Sequence, residues 1–397
     1  MTPAARYAAA IEILDGFLAG EPAEKLLSNW ARRNRYAGSK DRAAVRDIVF
    51  DSLRNLNSFA AMSGIGQGRG IALGHCIAAG IAADEIFNGA GYGPAPLSED
   101  EQNAISAAKY PPDSDFDLPD WLAGVFKSDL GDDAQATAAA LRERAPVDLR
   151  VNIAKITPDA AARALAAESI LTEPVAGVPT ALRVIENARR IAGSKPYLSG
   201  QVELQDAASQ ALVHMLDLKA GQRVLDYCAG GGGKTLAMAA QEPRAKLYAW
   251  DISQARLAPL AERAKRAGAK VKLLAAKPAK AEFDLVLVDA PCSGSGAWRR
   301  NPEGKWRLQP EGLLSLQETQ AQVLSEASAL VGSGGTLVYA TCSLLKRENT
   351  EVVNGFLSSH SEYTLQKSRS FLLNQPGDGF FGAMLKNNYD VYSYRAR

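Results

Sequence analysis

Cysteine and histidine are scarce in this chain: four and three residues, respectively, out of 397. Cys76, Cys228, Cys292 and Cys342 lie far apart with no CxxC pair, so neither a zinc site nor a disulfide framework is encoded and reduced thiols are expected. His75, His214 and His360 show no HExxH or other ligand spacing, so no metal is expected. No apolar run reaches the roughly 18 to 20 residues of a membrane span. The nearest, "IALGHCIAAGIAA" around Ile71, reads as a core helix. The N-terminus carries acidic residues in its apolar stretch and lacks the layout of a secretory signal, which predicts a cytoplasmic protein with no membrane partner.

A strong charge bias is also missing. The net charge is +1, and affinity for phosphates follows local rather than total charge. Basic residues gather at 30–46, 256–272 and 297–309. The 256–272 run reads as a solvated helix face. In the third run Trp298 and Trp306 stand among Arg299, Arg300, Lys305 and Arg307, cations and stacking surfaces of the kind that single-stranded nucleic acid favours.

A chain of this length predicts two or three domains. Residues 1–140 have apolar spacings of three and four and no alternating segment, as an all-helical domain requires. Residues 141–204 mix short strands with a Thr-Pro-Asp helix start, the texture of a small α/β connector. Residues 205–397 alternate strand and helix at the spacing of a parallel sheet. Candidate strands are 223–228, 246–251, 271–276, 283–290 and 335–342, several of them continuous apolar runs as expected when both faces are covered. The expected fold is thus multidomain, with a Rossmann-like, doubly wound α/β domain at the end. Ligands of such sheets sit beyond the carboxyl ends of the strands, where Asp226, Asp251, Asp289, Cys292, Thr341 and Cys342 fall.

The first strand runs into "DYCAGGGGKT", residues 226–235. A phosphate-binding P-loop needs glycine where Cys228 stands, and the dinucleotide GxGxxG fails because Thr235 or Leu236 takes the third glycine slot. A nucleotide hydrolase therefore loses its signature. What remains is a glycine turn with Asp251 ending the next strand, where a carboxylate accepts both ribose hydroxyls of an adenosine. The arrangement suits S-adenosylmethionine, with Asp226 placed to hold its ammonium.

Cys292 and Cys342 end the fourth and fifth candidate strands, which are usually neighbours in a doubly wound sheet, so both thiols and Asp289 should open into one pocket. Cys76 and Cys228 read as small apolar fillers. The chemistry served by a thiol pair of this kind is methylation of a pyrimidine carbon. A thiolate adding to carbon 6 makes carbon 5 nucleophilic toward a sulfonium methyl, and a proton then leaves carbon 5 before the thiol is expelled. Asp289 can hydrogen-bond N3 and the exocyclic amine of the ring, and Lys234 can supply positive charge.

In order, "DYCAGGGGKT", "WDIS", "DAPCSGSGAWRRNPEGKW" and "YATCS" resemble the RNA cytosine-5 methyltransferases of the Nol/Nop/Sun family. "SGQVELQDAASQALVHML" and "PGDGFFGAMLKN" resemble its flanking motifs. "GSKDRAAVRDIVFDSLRNL" and "LPDWLAGVFKSDLG" are similar to the NusB-like helical domain and connector of the RsmB-like branch, which methylates one cytosine of small-subunit (16S) ribosomal RNA. The resemblance implies S-adenosylmethionine as cofactor, and RNA as partner, ribosomal ahead of transfer RNA; a monomer is expected. It also implies Cys342 as nucleophile and Cys292 as the residue assisting product release. Cofactor contacts are implied for Cys228, Ala229, Gly230, Gly231, Gly232, Gly233, Lys234, Asp251 and Asp289. Two departures stand out. Gly230–Gly233 replace the family's usual Ala-Pro-Gly-Gly, and "LLAAKPAK" offers Ala275, Ala276 and Lys277 where the family commonly has Asp near the adenine amine. A non-catalytic RNA-binding or assembly factor is the competing class: the missing acid favours it and the intact cysteine pair opposes it.

Overall fold

The computed structural model describes residues 1–107, 116–279 and 283–389. It forms two compact units, Met1–Arg144 with Trp298–Arg307, and Ala145–Ala297 with Leu308–Arg397. Among the described residues, no helix is long and apolar enough to cross a membrane.

The first unit is helical apart from its turns. Its first helix, Pro3–Leu18, starts where the Thr2 hydroxyl accepts the Ala5 amide and Pro3 occupies a position whose N–H has no helical partner. Ile13, Leu14 and Phe17 on its inner face pack in one core with Val45, Val49 and Leu53 of Ser39–Arg54 and with Ile71, Leu73 and Cys76 of Gly68–Ala78. The run around Ile71 is thus the expected core helix, and burial pushes the Cys76 thiol up to about 11, in keeping with a filler.

The segment 298–307 belongs to this unit rather than to the catalytic stretch expected at 205–397, and its polar groups close helix ends. The last carbonyls of a helix and its first amides have no partner inside it. Lys305 Nζ donates to the Arg54 carbonyl at 2.8 Å and Trp306 Nε1 to the Leu53 carbonyl at 2.7 Å, both at the C-terminus of Ser39–Arg54. Glu303 accepts the Ala23 amide at 2.7 Å, at the start of Ala23–Arg33. Each charge has the sign that the helix dipole favours there. Arg54 Nε donates back to the Arg299 carbonyl at 2.7 Å. Arg299 and Lys305 are each only 1% exposed and Trp306 is half-buried, so of the four residues expected to meet RNA only Arg300 presents an exposed side chain. A composition that suggested a nucleic-acid surface is here largely a set of helix caps.

The second unit contains two sheets. The smaller comprises β1 (Val147–Val151), β2 (Thr172–Val175), β3 (Val178–Val184) and β4 (Val202–Leu204), all antiparallel, in the order β2-β3-β1-β4. The helix Pro158–Ala166, capped by Thr157, buries Ala161 and Leu165 in the same core as Leu149, Val151 and Leu182.

The larger sheet comprises β5 (Arg223–Asp226), β6 (Lys246–Ala249), β7 (Val271–Leu273), β8 (Phe283–Asp289), β9 (Val331–Thr341), β10 (Tyr363–Phe371) and β11 (Phe380–Asn387). Their order is β10-β11-β9-β8-β5-β6-β7; β9, β8, β5, β6 and β7 pair in parallel, and β11 is antiparallel to both β9 and β10. The continuous apolar runs hide a period of two, because successive side chains point to opposite faces. Val224, Leu285 and Leu287 enter the core beneath Ala207–His214 and Gly233–Gln241, while Leu225, Val286 and Val288 enter the one beneath Pro310–Ser328 and Thr350–Ser359. Both faces are covered, as the doubly wound expectation requires. β5 has neighbours on either side, β6 and β8, and the chain's direction of winding reverses there.

Glu303→Ala should lower the stability of the helical unit by about 1 kcal/mol, the usual value of an anion that accepts at a helix start. Thermal unfolding checks this, and an unchanged melting temperature would deny Glu303 that capping role.

Candidate active site

Past β5 the chain turns through Tyr227–Gly232 before the helix Gly233–Gln241 begins. Gly230 and Gly232 have φ of +49° and +78°, the left-handed region that glycine enters at little cost. A Cβ on Gly232 would also come within 2.2 Å of the Leu260 side chain, whereas one on Gly230 would meet nothing within 4 Å. The turn is braced from outside. Gly230 N–H donates to Asp251 at 2.8 Å, Arg150 Nη1 donates to the Gly233 carbonyl at 2.7 Å, and Arg263 donates to the Gly231 carbonyl. Arg263 and Arg266 also pair with the buried Glu203. The 256–272 run is therefore not a plain solvated face: Arg256, Arg263 and Arg266 all engage carboxylates, and two of them brace this turn or its acid.

A cavity of about 900 Å³ opens beside the turn, lined in part by Asp226, Asp251, Asp289, Cys292 and Cys342. Cys228, Ala229, Gly230, Gly231, Gly233 and Lys234 line it too; Gly232 instead packs on Leu260. Asp226 is buried. Its Oδ2 accepts the Thr235 hydroxyl at 2.6 Å, but its Oδ1 has no hydrogen-bond partner. Burial pushes its carboxyl up to about 7. An unanswered buried oxygen beside a cavity fits a ligand that brings a cation. Asp251, at the end of β6, accepts the Ser253 amide at 2.8 Å and Arg256 Nη2 at 2.9 and 3.0 Å. Since the Arg256 side chain is 63% exposed, it can yield an Asp251 oxygen to ribose hydroxyls.

Lys234 Nζ donates to Asp289 at 2.6 Å and lies 4.7 Å from the centre of the Phe380 ring. Burial pulls on its ammonium most strongly, toward lower pKa. The Asp289 carboxylate, with smaller help from Cys342, more than offsets this and keeps it above the ordinary lysine value. A fixed cation thus faces the thiols. The Cys228 thiol is pushed up by burial and then by the charges of Asp226, Asp289 and Asp251, so it stays protonated.

Asp289 of β8 is in register with Ala340 of β9, so the loops beyond leave the sheet side by side. Cys292 Sγ and Cys342 Sγ are 3.4 Å apart, and both are free thiols. A buried carboxylate, Glu348, ties the two loops together. It accepts the Ser293 amide at 2.7 Å, both the Ser293 and Ser343 hydroxyls, and Gln320 Nε2 at 3.0 Å. Gly296 N–H donates to the Cys342 carbonyl at 2.9 Å, a second link. The hydrogen bond with Cys342, then burial and the Cys342 and Glu348 charges, push the Cys292 thiol well above its usual range.

Sheet order and glycine turn together define an S-adenosylmethionine-dependent methyltransferase, with two adjacent thiols at its cavity. The family described as 16S rRNA methyltransferase RsmB/F matches residues 213–386, and the RsmF/B-like ferredoxin-like domain matches residues 118–191. Ribosomal RNA small subunit methyltransferase B of Citrobacter koseri is 32% identical over 300 residues, covering 72% of this chain and 70% of its own length. The Escherichia coli O6:K15:H31 protein of the same name is 31% identical over 300 residues with the same coverage, 72% and 70%. The crystal structure of PH0851 superposes with a TM-score of 0.73 at 24% identity, over 97% of this chain and 99% of its own. NSun6 from Pyrococcus horikoshii does so at 0.61 and 20% identity, over 68% of this chain and 99% of its own. The chain belongs to the 16S rRNA methyltransferase RsmB/F family. The ferredoxin-like match begins well before the connector boundary expected at 141, within helices whose contacts lie in the helical unit.

Several residues of this site escaped sequence reasoning: Glu348 and Gln320 behind the thiols, and Arg150 and Arg263 behind the turn. The Ser that follows each cysteine was the one local signal pointing to Glu348. Glu348→Gln keeps the shape but turns an acceptor into a donor facing serine donors. It should lower kcat about 10- to 100-fold with little change in cofactor KM. Steady-state kinetics decides, and a change confined to KM would mean that Glu348 does not position the thiols.

Proposed function

We propose that this protein methylates carbon 5 of a cytosine in 16S ribosomal RNA as a cytoplasmic monomer, with Cys342 as nucleophile and Cys292 assisting release. The observation that carries this reading is the 3.4 Å separation of the two sulfurs beside a cavity suited to an adenosyl ligand. Family membership supports the RNA substrate. Bound in that cavity, S-adenosylmethionine supplies an electrophilic methyl group. Asp226 would hold its ammonium and Asp251 its ribose, over a floor shaped by the backbone of Cys228–Gly231 and Gly233. Cys342, which lines the same cavity as Lys234, adds as the thiolate to carbon 6 of the cytosine and makes carbon 5 nucleophilic. Asp289, fixed by Lys234, hydrogen-bonds the N3 side of the ring and stabilises the adduct. After carbon 5 has been methylated, solvent water takes its proton, the electrons of that C–H bond form the double bond between carbons 5 and 6, and the bond from carbon 6 to Cys342 breaks. Cys292, kept protonated, hands a proton to the departing sulfur. Arg300, exposed where Arg299 and Lys305 are buried, makes a direct phosphate contact, with Arg299, Lys305 and Trp306 shaping the segment from behind.

Incubation with cofactor and RNA containing 5-fluorocytosine should yield a covalent complex that survives denaturation. Cys342→Ala should abolish both the complex and methyl transfer, whereas Cys292→Ala should accumulate an adduct on ordinary RNA. The opposite pattern would exchange the two roles, and no adduct in wild type would remove the catalytic reading. Sequencing of 5-methylcytosine in ribosomal and transfer RNA identifies the substrate class.

Asp226 also sets a pH dependence. Its folded pKa of about 7 lies above the ordinary 3.8, so its contribution to stability is complete below about 3.8 and is lost as pH rises through 7. Only the ionised form pairs with an ammonium. Cofactor affinity should therefore rise with pH up to about 7 and then level, with proton release on binding near pH 6. Calorimetry in buffers of different ionisation heat measures this, and binding with no proton release would exclude Asp226 as the ammonium's partner.

A further inference from the structure

The cavity is lined by four acids: Asp226, Asp251, Asp289 and Glu326. Three are already engaged, with the ammonium, the ribose and Lys234. Glu326 is not explained. It lies on the long helix Pro310–Ser328, on a different element from the other three, and its side chain is 32% exposed.

Sheet order gives the cavity a direction. Asp226 ends β5, Asp251 lies just past the end of β6, and β7 is the next strand outward. A ligand with its ammonium at β5 and its ribose at β6 must extend its base toward the end of β7. There Ala275 and Ala276 provide no polar side chain, and Lys277 reaches Glu326 at 2.8 Å. Tyr227 approaches the same oxygen, donating at 3.2 Å, and its ring packs 4.7 Å from that of Trp250, the residue before Asp251. Apolar surface for the base is present: Ile252, 85% exposed, lines the cavity together with Val323 and Pro291.

An ionised carboxylate has about four acceptor positions. On Glu326, Oε2 accepts from Tyr227 and Lys277, and Oε1 accepts from Gln322 Nε2 at 3.0 Å, which leaves one position on Oε1. Lys277 first, then Gln322, hold the carboxyl below its ordinary range, so it acts purely as an acceptor.

We propose that Glu326 is the acceptor for the exocyclic amine of the cofactor's adenine, contributed by the long helix in place of an acid at the end of β7. The assignment rests on the reading of the cavity as the S-adenosylmethionine site. Lys277 and Tyr227 are its positioning residues, steering the carboxylate toward the base edge. The specificity that results is for a 6-amino purine.

The test compares two ligands by calorimetry: S-adenosylhomocysteine, and the analogue whose base is unsubstituted purine, with hydrogen in place of the amine. Wild type should bind the adenine form about 10- to 100-fold more tightly, the worth of one hydrogen bond to a charged group. In Glu326→Ala this ratio should fall to about 1, through loss of affinity for the adenine form with the purine form little changed. Glu326→Gln, which keeps an acceptor oxygen, should give an intermediate ratio. A wild-type ratio preserved in both variants overturns the assignment, as does an equal loss for both ligands, which marks a role in packing alone. Wild type that binds neither ligand overturns the cofactor reading itself, and this inference with it.

Discussion

A carboxylate removed from water is stable only when nearly all its lone pairs are filled, and Glu348 meets that condition with donors from both cysteine loops and the long helix behind them. Neither loop has regular structure to hold its shape, and the parallel pairing of β8 and β9 brings only their roots together. Beyond that point the loops share an acceptor that would be left with unfilled lone pairs if either withdrew, alongside the Gly296 amide on the Cys342 carbonyl. The pairing of the two thiols is in this sense a by-product of satisfying one buried carboxylate.

The glycine-turn end of the cavity is organised in the opposite way. Its floor is backbone, without side chains at the glycines, and its rigidity is supplied from outside by guanidinium groups on carbonyls that a regular helix or strand would have paired internally. Arginine suits that task because its planar fork reaches a carbonyl and a carboxylate together, as Arg263 does with Gly231 and Glu203. The cavity thus combines a soft-looking sequence with a braced conformation. Among the described residues lining it, Asp226 carries a buried oxygen with no partner.

Much of this was readable in advance where local chemistry and fold point the same way. β5, β6, β8 and β9 announced themselves as apolar runs ending in polar residues, and the two cysteines were conspicuous because such strand ends rarely carry reactive groups. The remainder was hidden for definite reasons. β10 buries little besides Tyr363 and Phe371 at its ends, since it is an edge strand, so its composition resembles a loop. Arg263 and Arg266 occupy helix positions that look solvated until the glycine turn and Glu203 are set against them. Glu348 lies in "LLKRENTE", where one more charge attracts no notice. In 298–307, the same tryptophans and cations that suit nucleic acid also suit exposed helix ends, and composition does not distinguish the two.

Because those ten residues cap helices whose other turns come from the beginning of the chain, the helical unit is discontinuous in sequence. Excising everything before residue 145 would not yield a tidy enzyme fragment. It would strand Lys305 and Trp306 without the Arg54 and Leu53 carbonyls that now accept from them, strip Trp306 of its apolar neighbours, and leave the truncated product with an adhesive patch of its own making.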